Sequence, residues 1–223
     1  MKKKTIIAIV VILLALALIV GGIMAYFTST DQATNTFTIG NVKIDLLEPA
    51  WTGAIATGEA QPASAQNMVP GGSVAKDPKI KNIGTNDANV FLKVDIPCYT
   101  VGASTVDLFN LYYGGAAGVN TTDWKLVGQS TSGNTHTYVY AYASDNTKAG
   151  LKELASDATT NPLFDHAQLT TNTTVVEAAA ATSVTDAGRS IEINAYGIQT
   201  TEVTQDSQLN IFKLFEPTFT PQA

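Results

Sequence analysis

The sequence predicts an all-β fold with minor helices: an antiparallel β-sandwich of jelly-roll or Greek-key type, preceded by a signal-peptide helix. Three observations predict it. Short runs with period-two apolar alternation recur from Phe37 to Ile198, each bounded by Gly, Asn, Asp or Pro. Many such strands around a single core point to a sandwich, and long crossing connections favour the Greek-key path. At the amino terminus, Met1-Lys2-Lys3-Lys4 precedes an uncharged run from Thr5 to Val20, the form of an export signal.

The first element is this leader. Lysines before an apolar run hold the terminus on the cytoplasmic side while the rest is translocated. Gly21-Gly22 interrupts the run and Ala25 offers a small residue to a signal peptidase. Cleavage between Ala25 and Tyr26 is therefore the expectation, which makes residues 1–25 a signal peptide. The competing reading is a retained anchor, since Ile6 to Phe27 is uncharged and long enough to span a bilayer. The polar TSTDQATNT that follows carries no lysine or arginine, as a stop-transfer flank would.

Composition agrees with export. The formal charge of −6 includes Lys2, Lys3 and Lys4, so a chain beginning at Tyr26 carries −9. That balance argues against nucleic acid as a partner, because phosphate binding needs a basic face. Cys98 is the single cysteine, so no intramolecular disulfide forms, and it reads as a small buried hydrophobe in a strand. A processed chain of about 198 residues is the length of one all-β domain.

Taken in order, residues 26–40 read as an extended arm and 41–223 as the domain. Phe37 and Ile39 alternate with threonines, then Val42, Ile44 and Leu46 alternate with Lys43 and Asp45. The apolar parity changes across Gly40-Asn41, which predicts a bulge or tight turn there, a hinge. Glu48 to Ala65 reads as a loop. Strands are expected over roughly Ser73–Asn82 and Ala88–Ile96, the second half-buried, with Val90, Leu92, Val94 and Ile96 inward and Lys93 and Asp95 outward. Val106–Tyr113, Asp123–Val127 and His136–Ala143 are further strands, the last two a hairpin joined by GQSTSGNT. Lys148–Ala155 suits a short helix. Val175–Val184 is ambiguous between helix and strand. Ser190–Ile198 is a strand, and Leu209 to Phe215 a short helix capped near Asp206 or Ser207.

These residues carry a family resemblance. AYFTSTDQATNTFTIGNVKIDL (25–46) and PGGSVAKDPKIKNIGTNDANVFLKV (70–94) resemble two long blocks of the TasA/camelysin family. NPLFDHAQL (161–169) and INAYGIQT (193–200) match weaker, later ones. The resemblance implies a secreted jelly-roll subunit, with a signal cut by a SipW-type signal peptidase. It also implies a homo-polymer of identical subunits that assembles into biofilm-matrix fibres at the cell surface. Other matrix proteins are further partners it suggests. In such members the amino-terminal arm inserts as a strand into the neighbour. The residues support that independently: an extended segment can add to an exposed sheet edge, and the candidate donor strand offers Tyr26, Phe27, Phe37 and Ile39 as anchors with no proline. Head-to-tail pairing does not close, so it propagates.

Two other readings stay open: a camelysin-like cell-surface metallopeptidase, and a membrane-anchored surface module that binds without polymerising. For the first, His136 and His166 are the only histidines, and they do not form His-Glu-x-x-His. Both are expected to face solvent, His166 in a loop. A site combining them with Asp165 or Glu153 is the residual possibility. There is no Gly-x-Ser-x-Gly elbow and no phosphate loop around Gly71-Gly72 or Gly114-Gly115. Asn86-Asp87 lacks EF-hand spacing. The expectation is no catalytic residue, no metal site and no cofactor. Asn120-Thr121-Thr122 and Asn172-Thr173-Thr174 fit the glycosylation sequon.

Overall fold

The computed structural model describes residues 41–181, 190–201 and 203–222; these fall in the compact unit Gly40–Ala223. The signal sequence, the cleavage pair Ala25 and Tyr26, the anchors Phe27, Phe37 and Ile39, and Gly40 lie outside the described residues. Eleven strands and three short α-helices make up the described part, and every named strand pairing is antiparallel.

Two sheets form the sandwich. One is ordered β2 (Ser73–Ala75), β10 (His166–Leu169), β6 (Phe109–Tyr113) and β7 (Ala116–Ala117). The other runs β11 (Glu192–Gln199), β4 (Ala88–Val101), β9 (Thr135–Tyr142) and β8 (Trp124–Ser132), with β5 (Ser104–Asp107) on the far end of β4. A ribbon of β1 (Ile44–Leu47) and β3 (Lys79–Asn82) lies beside β11. Hairpins join β4 to β5, β6 to β7 and β8 to β9, but β10 lies between β2 and β6, and β4 between β11 and β9, which is the crossing connectivity expected of a Greek-key path.

The core between the sheets holds Val90, Leu92, Val94 and Ile96 of β4 with Ile80, Trp124, Tyr140, Leu163 and Phe164. The outer face of β4 is not the solvated face that its Lys93 and Asp95 suggest. Phe91 is fully buried there against Phe212 and Phe215, because α3 (Gln208–Phe212) lies across it. Lys93 Nζ reaches Glu216 at 2.7 Å and Asp95 accepts from Thr137 at 2.5 Å. The charges are thus paired under a cover. Ser207 caps α3, its hydroxyl oxygen accepting from Asn210 N–H at 3.2 Å. A third cluster joins α2 (Thr173–Ala181) to Tyr99, Leu108 and Leu169, which settles the Val175 region as helix.

Several boundaries differ from expectation for local reasons. Residues 73–82 form two strands in different sheets. The break falls at Lys76-Asp77-Pro78, where Pro78 has no N–H to give a ladder. Lys76 there pairs with Glu48 at 2.7 Å and lies over the Trp51 ring. That ring belongs to α1 (Pro49–Gly53), a helix inside the expected loop. Residues 106–113 likewise split, at Leu108, whose N–H turns to donate to Pro97. The β8–β9 hairpin is longer than predicted: GQSTS is strand, and the turn is Gly133-Asn134, with Gly133 at φ 56°. Lys148–Ala155 is not a helix beyond one 3-10 turn at Lys148–Gly150. His166 opens β10 rather than lying in a loop.

Candidate functional site

The two sheets are not closed at the margin where β7 and β8 are outermost. An open cleft of about 520 Å³ lies there, walled by β6 and β7 on one side and β8 and β9 on the other. Trp124, Tyr138 and Tyr140 form its aromatic side, and Phe109 and Leu111 face them. Leu126 stands on the lip, 41% exposed. The strand period places these side chains on one face: Leu126 with Trp124 on β8, and Tyr138 with Tyr140 on β9.

Trp124 is fixed from below. Its indole N–H donates to Asn161 O at 3.1 Å. Its backbone N–H donates to Asn120 O. Beside it Asp123 accepts from Lys152 at 2.7 Å, Asn161 at 2.8 Å and Asn120 at 3.1 Å. The Lys152 hydrogen bond holds the Asp123 carboxyl below its ordinary range. Asn120 is 1% exposed and its amide also donates to Pro162 O, so the asparagine of the first glycosylation sequon is inaccessible in the folded domain.

At one end of the cleft Asp107 accepts from the Tyr138 hydroxyl at 2.8 Å and contacts His136 Nδ1 at 2.5 Å. His136 is therefore a half-buried partner of a carboxylate, not a solvent-facing residue. Burial, and then the Asp107 charge, push the Tyr138 phenol up; the same causes push Tyr140 up to about 12. Both phenols stay neutral donors across the physiological range. Cys98 is fully buried in β4, and burial pushes its thiol up to about 11, which suits an inert side chain. The cleft offers apolar area, neutral hydroxyls and one engaged carboxylate: chemistry for binding.

The second histidine is elsewhere. His166 Nδ1 contacts Asp165 at 2.6 Å on the other sheet, and Asp165 also accepts from Gly114 N–H at 2.7 Å. Burial pushes the Asp165 carboxyl up, but these two hydrogen bonds outweigh it and leave it low. Among the described residues no group of three or more His, Cys, Asp and Glu is arranged to hold a metal ion. Each histidine has its own aspartate, His136 on β9 with Asp107 and His166 on β10 with Asp165, so these residues do not fit a catalytic zinc ion, which takes three protein ligands on one centre.

Of the expected arm and hinge residues, Asn41 is described. Its N–H donates to Thr85 Oγ1 at 3.0 Å, and its carbonyl accepts from Thr85 and Asn86 N–H at 3.1 and 3.2 Å. Three residues on, Ile44 lies against Gly197 of β11, where a Cβ would sit 3.0 Å from Ile44 Cγ2. The chain thus enters the domain beside β11, at the opposite edge of the five-stranded sheet from β8. Sequence reasoning missed the cleft because Ala116–Ala117, its far wall, has no strand signature. Only the exposed Leu126 in an alternating strand hinted at it.

What the geometry defines is a β-sandwich with an uncovered aromatic cleft. A family model described as camelysin metallo-endopeptidase matches residues 1–107, a similarity consistent with the resemblance to the TasA/camelysin family. Neither a curated protein nor a solved structure matches the chain.

Proposed function

We propose that the chain is an exported structural subunit that polymerises head to tail into extracellular matrix fibres, the arm Tyr26–Ile39 of one copy adding as a strand in the cleft of the next. The observation that carries this reading is the placement of the cleft. It opens at the β8 margin, whereas Val42 and Ile44, just after Asn41, lie against Gly197 of β11. A donor leaving at one margin and an acceptor at the other make a heterologous contact, which repeats without closing. Phe27 and Phe37 would each contribute about 1.5–3 kcal/mol on burial. Ordering the arm costs about 1–2 kcal/mol per residue, partly offset by strand hydrogen bonds.

Removal of residues 26–36, or Phe27→Asp with Phe37→Asp, is expected to leave a folded monomer that forms no filaments by electron microscopy. Filaments of unchanged diameter from the truncated chain would sink the donor-strand reading. The family description also names a metallo-endopeptidase. Casein cleavage abolished both by chelator and by His136→Ala or His166→Ala would favour that activity instead.

A further inference from the structure

We propose that the outer edge of β8 from Gly128 to Ser132 is an interaction surface for the same edge of a second copy, kept covered by the carboxy-terminal segment Phe219–Gln222. The surface is distinct from the cleft and does not rest on the fibre reading; within a fibre it would join filaments side by side.

The edge has the properties of a pairing strand. β9 takes one side of β8, and β8 is the last strand of its sheet. The carbonyls of Gln129 and Thr131, two residues apart, point away from β9, and Gln222 reaches both. Its backbone N–H donates to Gln129 O at 2.7 Å and its side-chain amide to Thr131 O at 3.5 Å. Natural sheets blunt exposed edges with lysine, proline, bulges or a covering segment. Gly128-Gln129-Ser130-Thr131-Ser132 contains no charge and no proline. A bulge lies just before it, between Leu126 and Gly128, so over these five residues the guard is the covering segment.

Strand and cover are fitted to one another. Phe219 is 7% exposed and packs edge-on to Phe212, with ring centroids 5.4 Å apart. A Cβ on Gly128 would lie 3.0 Å from Pro221 and 3.1 Å from Phe219, so glycine admits the segment at that point. Beyond this anchor the cover over the edge is thin: Gln222 is exposed, and Pro221 has no N–H to donate. Lifting residues 220–222 frees an uncharged edge whose complement is itself. Two copies set antiparallel about Ser130 place Gln129 of one against Thr131 of the other, with no like charges opposed. Such an isologous pair closes as a dimer.

The test uses the full chain carrying Gln129→Cys and a short bis-maleimide reagent, with buried Cys98 out of reach. Deleting residues 220–223, which keeps Phe219 in the core, is expected to turn the cross-linked dimer from a trace into the main product. Gln222→Pro removes the N–H that reaches Gln129 O without shortening the chain, and is expected to raise the dimer severalfold. Thr131→Pro added to the deleted chain removes an outward N–H and leaves the β9 ladder intact, so the dimer returns to a trace. The proposal is overturned if neither tail change raises cross-linking, or if Thr131→Pro leaves it undiminished. Because the readout is the 129–129 contact, filament formation neither produces nor hides it.

Discussion

At the scale of single residues, charge pairing decides more than the chain's modest charge content suggests. Asp123 accepts from Lys152, Asn161 and Asn120 in one place, and it fixes the loop beneath Trp124. Its carboxyl titrates below the ordinary 3.8 in the folded chain, so the unfolded chain binds the proton first as pH falls. The stabilisation is full above the unfolded value and is lost as pH drops through the folded one. Asp123→Asn is therefore expected to lower stability at neutral pH, while its denaturation midpoint converges with that of the parent chain in strong acid. A constant gap across the titration would show that the charge is irrelevant there. His136 is the residue most misjudged from sequence. Its position beside a turn suggested solvent, but Asp107, remote in sequence, lies at 2.5 Å.

At the scale of elements, close backbone approach sets where strands begin. Gly84 lies in the turn after β3, and a Cβ there would meet Asn41 O at 2.5 Å and Lys43 N at 2.6 Å. Neither backbone atom can yield as a side chain would. Gly84→Ala is expected to destabilise the domain by about 1–3 kcal/mol, as overpacking does, and to loosen the bonds between Asn41 and Thr85. Urea unfolding measures the first, and amide exchange at Thr85 and Asn86 the second. Alternation made β4, β9 and β11 readable in the sequence, because their inward residues share parity over several positions. The Ser207 cap made α3 readable. Pro78 was a local signal of the strand break at Lys76-Asp77-Pro78, whereas the break at Leu108 was hidden, since it depends on Pro97 of β4. The cleft was hidden for the same reason: Trp124, Tyr138 and Phe109 look like ordinary core residues until two unequal sheets leave one margin open.

At the scale of the whole molecule, the expected signal cut bears on the form in which the domain is delivered. The Lys2–Lys4, apolar and Ala25 pattern leads us to expect secreted protein that begins at Tyr26 or within a residue or two. Intact-mass measurement of material from the medium checks this, and Ala25→Asp should block processing, because a charged side chain does not fit the small pocket of a signal peptidase. Full-length mass in secreted protein would contradict it. The solitary thiol has a practical consequence. Cys98 has no exposed surface and sits toward the carboxy-terminal end of β4, a strand that belongs to all three apolar clusters. A thiol-trapping reagent reaches it only when that strand leaves its neighbours, so the rate of alkylation serves as a native clock for global opening.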